Sequence, residues 1–359
     1  MTQVTQATQV EKSTAGLEPA GQGAGFAGLA WLTWRQHRWT LLGSLVLAAA
    51  LTGWMAYLAS DMTSLYHQCH NTLCPVGSPQ FQTLNTRFTG PIDVADNLLL
   101  GVRYLPLLIG IFLGVPLLAR EYEQRTLLLA WSQDISPVRW LWTKLALIGL
   151  FVAALTAALS AVADHLAHVL HNVGGGSMFD GSLFLDSGML PLAFGVSWFA
   201  IGVALGAAVR RILPAAMAVI LGFVGLMLTV QWHFPTLEAP VSRFFPFGDP
   251  ANRPGFTNAL VINGGIQVGP DHVVNLFDAS RHALNWAQVQ HACPNFLSLP
   301  GEAVTSCFAR NHFQRYAVYQ PGSRIPEFHL IIASGYLGLG LLALVAAWLL
   351  VCRAGLSAG

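Results

Sequence analysis

Six stretches of the chain stay apolar for longer than a soluble strand or a surface helix requires. They run over about Trp39–Ser60, Leu98–Ala119, Trp140–Val162, Met189–Val209, Ile212–Trp232 and Phe328–Cys352. Each can cross roughly 30 Å of hydrocarbon as a helix. None alternates polar and apolar positions, and all exceed the roughly 9–11 residues of a barrel strand. The pattern predicts an all-α integral membrane protein with six transmembrane helices. Between the fifth and sixth lies His233–Glu327, roughly 95 residues, too long for a structureless loop. Within it "ALVINGGIQV" alternates around Asn263-Gly264-Gly265 and predicts a hairpin. "RHALNWAQVQHA" and "EAVTSCFARNHFQRYAV" read as short helices. The segment is expected to be a small mixed α/β extracellular domain. Residues 1–25 are polar with no apolar core, which predicts a disordered cytoplasmic tail and not a signal peptide. Phe26–Arg38, "FAGLAWLTWRQHR", carries Trp31 and Trp34 followed by Arg35 and Arg38. That suits an N-terminal interfacial helix in the headgroup region; the other reading is the frayed start of the first span. The expected units are therefore 1–25, 26–232, 233–327 and 328–359.

Composition narrows the class. Hydrophobic residues make up 54% of 359 and charged residues 10%, against roughly 25% charged in soluble domains. Too few polar side chains exist to cover a water-facing surface, so membrane lipid is the expected surrounding. The net charge of +1 and only two lysines, Lys12 and Lys144, exclude a phosphate-tracking surface. No nucleic-acid partner is expected.

Arginine and lysine placement sets the orientation. Arg35 and Arg38 precede span one; Arg120, Arg125, Arg139 and Lys144 lie between spans two and three; Arg210 and Arg211 join spans four and five; Arg353 follows span six. The connection between spans three and four has no Lys or Arg. A multi-pass protein of the cell membrane with both termini cytoplasmic is expected. Cys69, Cys74, Cys293 and Cys307 then fall outside, where disulfides persist, and Cys352 falls inside. Closeness in sequence favours Cys69–Cys74 and Cys293–Cys307 among three connectivities. A zinc site in "CHNTLC" with His70 is the weaker alternative.

The stretch "LLAREYEQRTLLLAWSQDISPVRWLWTKL", Leu117–Leu145, gathers charge between two greasy runs. A positive-inside anchor needs only Arg and Lys, so Glu121, Glu123 and Asp134 call for a further explanation. A mixed-sign surface that faces a partner protein supplies one. Ser136-Pro137 breaks the chain before it re-enters the bilayer.

These residues, with "TWRQHR" before the first span, resemble the permease subunits of ABC-2-type ABC transporters, especially the actinobacterial kind. The resemblance covers the six-span plan, the interfacial helix and the connection between spans two and three. Arg125 stands where many relatives carry Gly before Thr126. In that family a separate cytoplasmic ATPase subunit touches this connection. The resemblance implies the same here for Arg120, Glu121, Glu123, Arg125, Thr126, Asp134 and Arg139. It also implies a second permease copy or a sister permease. No G-x-x-x-x-G-K-[ST] loop occurs, so the chain is not expected to be an enzyme. It should have no cofactor of its own, ATP and magnesium being held by the partner. The implied function is export of an amphiphilic small molecule, lipid or peptide.

Other polar groups sit at or inside the spans. Gly110-x-x-x-Gly114 in span two and Gly202-x-x-x-Gly206 in span four allow close helix approach. Arg103 in span two is costly in lipid and must face protein or water; Asp164 is a candidate partner. "DHLAHVLH" places Asp164, His165, His168 and His171 along roughly one face at the outer end of span three. Two readings follow, an interfacial cap or, with a different function, a membrane-embedded metal-dependent enzyme. The enzyme reading leaves the charged connection without a role, and the transporter reading is preferred.

Overall fold

A computed structural model describes residues 26–68, 79–124, 137–174, 177–179, 181–247, 258–263, 267–269 and 272–356. The tail 1–25, Cys69, Cys74, Gly264, Gly265, Arg125, Thr126 and Asp134 lie outside them.

Among the described residues six helices are long and apolar enough to cross a membrane: Trp31–Ser64, Gly90–Glu123, Val138–Asn172, Leu190–Val209, Ile212–Thr236 and Gly322–Arg353. The first belongs to α1 (Phe26–Gln68). The second is built from α2 (Pro79–Ile109), a π-helical turn (Gly110–Gly114) and α3 (Val115–Glu123). The third lies within α4 (Pro137–Gly174), and a short α5 (Gly181–Leu185) precedes the fourth, α6 (Leu190–Val209). The fifth is α7 (Ile212–His233) with a following 3₁₀ turn, and the sixth is α10 (Ile325–Leu356).

One expectation is corrected at the start. Phe26–Arg38 does not form a separate interfacial helix: α1 runs through it without a break into the first span. The physical reason is local, because "RQHRWTLL" contains neither Gly nor Pro to end a helix.

Span four is the centre of the bundle. It is apolar on every side, as an enclosed helix should be, and is mostly buried inside the protein, whereas span five is mostly exposed. Pro191 sits in its first turn, where a missing N–H costs nothing. Arg210 closes it in a left-handed conformation (φ 57°), and Arg211 leads directly into α7. Two apolar clusters radiate from it. One joins Leu117, Leu118, Leu141, Val152, Phe199 and Val351; the other joins Val115, Phe184, Trp198, Phe223, Phe328 and Tyr336.

Between α7 and α10 the chain forms a separate small domain. Its strands are β1 (Val241–Pro246), β2 (Leu260–Asn263), β3 (Gln267–Gly269), β4 (His272–Val274), β5 (Leu276–Phe277) and β6 (Gln314–Gln320). Its helices are α8 (Trp286–Ala292) and α9 (Gly301–Arg310). β6 is central, with β1 antiparallel on one side and both β2 and β5 on the other. The expected β2–β3 hairpin is wrong: β2 pairs with β6, and β3 pairs with β4. Alternation told which residues face one way but not which strand they would meet. The second expected helix also stops early, at Arg310, and "QRYAVYQ" becomes β6. Cys293 and Cys307 are bonded and staple α8 to α9, around a core that includes Leu276, Val289, Phe296, Phe308 and Phe313.

Candidate functional site

Charged residues on either side of the connection between spans two and three are drawn together at one end of the bundle. Lys144, only 2% exposed, forms an ion pair with Glu121, 13% exposed. Its ammonium also donates to Gln36 Oε1 at 3.2 Å and lies 4.4 Å from the Trp140 ring centre. Spans one, two and three therefore meet on one cation. Two residues on, Glu123 Oε1 accepts the Ile212 backbone N–H at 2.9 Å. That N–H is one of the donors a helix start leaves unsatisfied, so Glu123 fastens span two to span five. Arg210 stacks over Tyr122 at 5.1 Å. Arg120 and Arg139 are exposed. The two glutamates that had no place in an anchor thus have structural work within the chain. Glu121 is half-buried against Lys144, whereas Glu123 remains exposed while it accepts the Ile212 N–H.

Just inside this end, span two crosses span four at the glycine motifs. A Cβ on Gly202 would lie 2.4 Å from Gly110 O, one on Gly114 2.6 Å from Phe199 O, and one on Gly206 2.6 Å from Val115 O. No side chain fits between these backbones. The π-helical turn Gly110–Gly114 coincides with the crossing, and such turns are recurrent sites of helix bending and function.

At the other end of the bundle a second polar group forms. Arg103 Nε and Nη2 donate to Asp186 Oδ1 and Oδ2 at 3.1 and 2.8 Å, and Nη2 also donates to Gly181 O at 2.9 Å. Asp164, the partner that the sequence suggested for Arg103, is engaged elsewhere: its Oδ1 accepts the Gly188 N–H at 2.8 Å. Ser160 Oγ donates to Gly188 O at 2.6 Å, and His329 Nε2 lies 3.0 Å from Phe184 O. Asp186 lies just before span four and is 1% exposed. Burial pushes its carboxyl up to about 7, the Arg103 guanidinium pulling it back only in part. Asp186, Ser160, Gly188 and His329 were missed in the sequence, where each is a lone polar or small residue.

The histidines do not converge. His165 and His168 are exposed, and His168 is 3.8 Å from Asp164. Among the described residues no group of three or more His, Cys, Asp or Glu is placed to hold a metal ion. Arg35 and Arg38 stack over Trp31 and Trp39, each at 5.3 Å, and Trp31 and Trp34 are exposed. Arg plus exposed indole suits a headgroup layer. Two apolar clefts open on the bundle's sides. One of about 350 Å³ is lined by Trp142, Gly149, Ser197, Phe199 and Gly340; one of about 290 Å³ is lined by Trp39, Leu105, Phe112 and Leu155.

Comparison with known families divides the chain where the structure does. Residues 236–325, the small domain, match a family described as a domain of unknown function. No curated protein and no solved structure gives a significant match. Residues 45–234, which hold spans one to five apart from the start of the first, match the family described as ABC-2 membrane transporter related. The chain is a multi-pass membrane protein that belongs to the ABC-2 membrane transporter related family.

Proposed function

We propose that this chain is the permease subunit of an ATP-driven exporter, and that a separate ATPase subunit docks on its cytoplasmic connection between spans two and three. The observation that carries this reading is the fastening around Lys144. Glu121, Gln36 and Trp140 hold spans one, two and three to that cation, and Glu123 ties span two to span five. A push on the connection would then move these span ends as one block. The docking surface would comprise the exposed Arg120, Glu123 and Arg139 with Arg125, Thr126 and Asp134 of the same connection, and the half-buried Glu121 would couple it to Lys144. A second permease copy or sister permease would complete the pathway, and both termini would lie in the cytoplasm. Apolar clefts in the spans suit an amphiphilic substrate such as a lipid, drug or peptide.

The test is co-purification of the ATPase from membranes. Charge-assisted contacts contribute about 1.5–3 kcal/mol each. An Arg120→Glu, Arg139→Glu variant is therefore expected to bind the ATPase roughly one to three orders of magnitude more weakly. A cysteine placed at Gln133 should still label from the cytoplasm, which shows that topology is intact. Normal co-purification with normal ATP-dependent transport would overturn the docking assignment.

A further inference from the structure

Connections normally run over a surface because buried backbone must find hydrogen-bond partners. The middle of the segment Gly181–Met189 instead sinks into the bundle: Phe184, Leu185, Asp186 and Ser187 are all at most 2% exposed, while Met189 at its end is exposed. Its burial is made tolerable by side chains from three different spans. Arg103 of span two takes Gly181 O and the Asp186 carboxylate. Ser160 and Asp164 of span three take the carbonyl and the N–H of Gly188. His329 of span six contacts Phe184 O and stacks on the Phe184 ring at 4.5 Å. Gly188 has φ 62°, and a Cβ there would lie 2.5 Å from His329 Nδ1. Only glycine fits against that ring.

The segment also reaches the stem of the small domain. Phe184 stacks on Phe234 at 5.5 Å, where span five ends. From there residues 235–239 are clasped by the chain that returns from the domain into α10: Gln320 Nε2 donates to Pro235 O and Glu238 O, and Arg324 Nη1 donates to Ala239 O. Arg324 also pairs with Glu238 at 3.3 Å. A packed route therefore leads from Arg103 through Asp186 and Phe184 to Phe234 and His329, and on to the stem.

We infer that Gly181–Met189 is a mechanical relay, latched by the Arg103–Asp186 fork, that passes movement of span two to the small domain. Span two is the element that also carries the π-helical turn and the Glu121 and Glu123 fasteners, so it joins the charged end of the bundle to this latch. A two-pronged guanidinium–carboxylate contact transmits orientation as well as distance. The inference does not depend on ATPase docking and can be tested on the full chain alone.

Hydrogen–deuterium exchange is measured on the full chain in lipid nanodiscs, unaltered and as Arg103→Gln. Exchange is expected to quicken roughly 10- to 100-fold, the range of a lost charged hydrogen bond, in Gly181–Met189 and also in 235–239 and the first turns of α10. α9, held by its own core and disulfide, should be unchanged. Quickening confined to Gly181–Met189 would make the segment a local seal and overturn the relay, as would no change anywhere. Should Arg103→Gln fail to accumulate, Arg103→Lys keeps the charge but loses the fork. A smaller rise over the same two regions is then expected, and a silent stem again overturns the relay.

Discussion

Neutralising Glu121 separates an internal fastener from a docking contact. In the structure its partner Lys144 is 2% exposed and Glu121 13%. An exposed ion pair contributes about 0–1 kcal/mol, whereas removing one partner of a buried pair costs about 3–5 kcal/mol because a charge is left stranded. Lys144 would keep Gln36 Oε1 at 3.2 Å and the Trp140 ring at 4.4 Å, and a desolvated cation–π contact returns about 2 kcal/mol at best. The loss expected for Glu121→Gln is therefore toward the lower figure, about 3 kcal/mol. The assay is thermal and denaturant unfolding of the purified chain, with abundance in the membrane measured alongside. The exchanged pair, Glu121→Lys with Lys144→Glu, should recover much of the loss, since the charges again meet. A Glu121→Gln variant within about 0.5 kcal/mol of the unaltered chain, the range of ordinary surface changes, would refute the fastener. ATPase binding adds a second readout. A docking glutamate would stay inverted in the exchanged pair and binding would remain lost, whereas a fastener predicts that it returns.

Three further outcomes follow from other parts of the fold. Gly202→Ala should destabilise by about 1–3 kcal/mol or more, since its Cβ would lie 2.4 Å from a backbone oxygen, while Gly149→Ala, 3.5 Å from Phe199, should be tolerated; equal unfolding temperatures for the two variants would refute the crossing. For Asp186, whose carboxyl burial raises to about 7, the folded chain holds a proton that the unfolded chain releases between about pH 4 and 7. Stability from this group thus falls as pH rises through that window, and Asp186→Asn should flatten the profile by up to about 1.4 kcal/mol per pH unit; equal slopes in unfolding curves at several pH values would refute this. Replacing Cys293 and Cys307 by Ser removes a bond across 14 residues and should cost the small domain about 2–4 kcal/mol, read as faster proteolysis of α8 and α9. Because these cysteines pack in a core apart from the spans, equal loss of stability in the spans would contradict that separation.

The two ends of the bundle share a logic. At each, a charged side chain in span two is neutralised by a residue from another segment: Glu121 by Lys144, and Arg103 by Asp186. Between them lies the glycine crossing with its π-helical turn. Span two is thus fixed by an ion pair on either side of the glycine crossing.

The apolar runs alone determined that six helices are long and apolar enough to cross a membrane, and located the centre of each though not its ends, because hydrocarbon demands about 20 apolar residues per crossing and tolerates no unpaired backbone. The same pattern set apart the region between spans five and six, and closeness in sequence identified the Cys293–Cys307 bond. The glycine spacing of spans two and four was also legible, although only the packed helices revealed that the two motifs meet each other. What periodicity could not supply was partnership. Nothing in the spacing of Glu121 and Glu123 named their partners within the chain, Lys144 and the Ile212 N–H. Arg103 was rightly expected to need a partner, yet Asp164 was nearer to hand than Asp186, which stands alone in the sequence. β2 was matched to the wrong strand for the same reason. Burial and chain length act locally and are written along the sequence; the pairing of charges and of strands depends on which surfaces the fold brings within about 3 Å, and only the tertiary structure decided that.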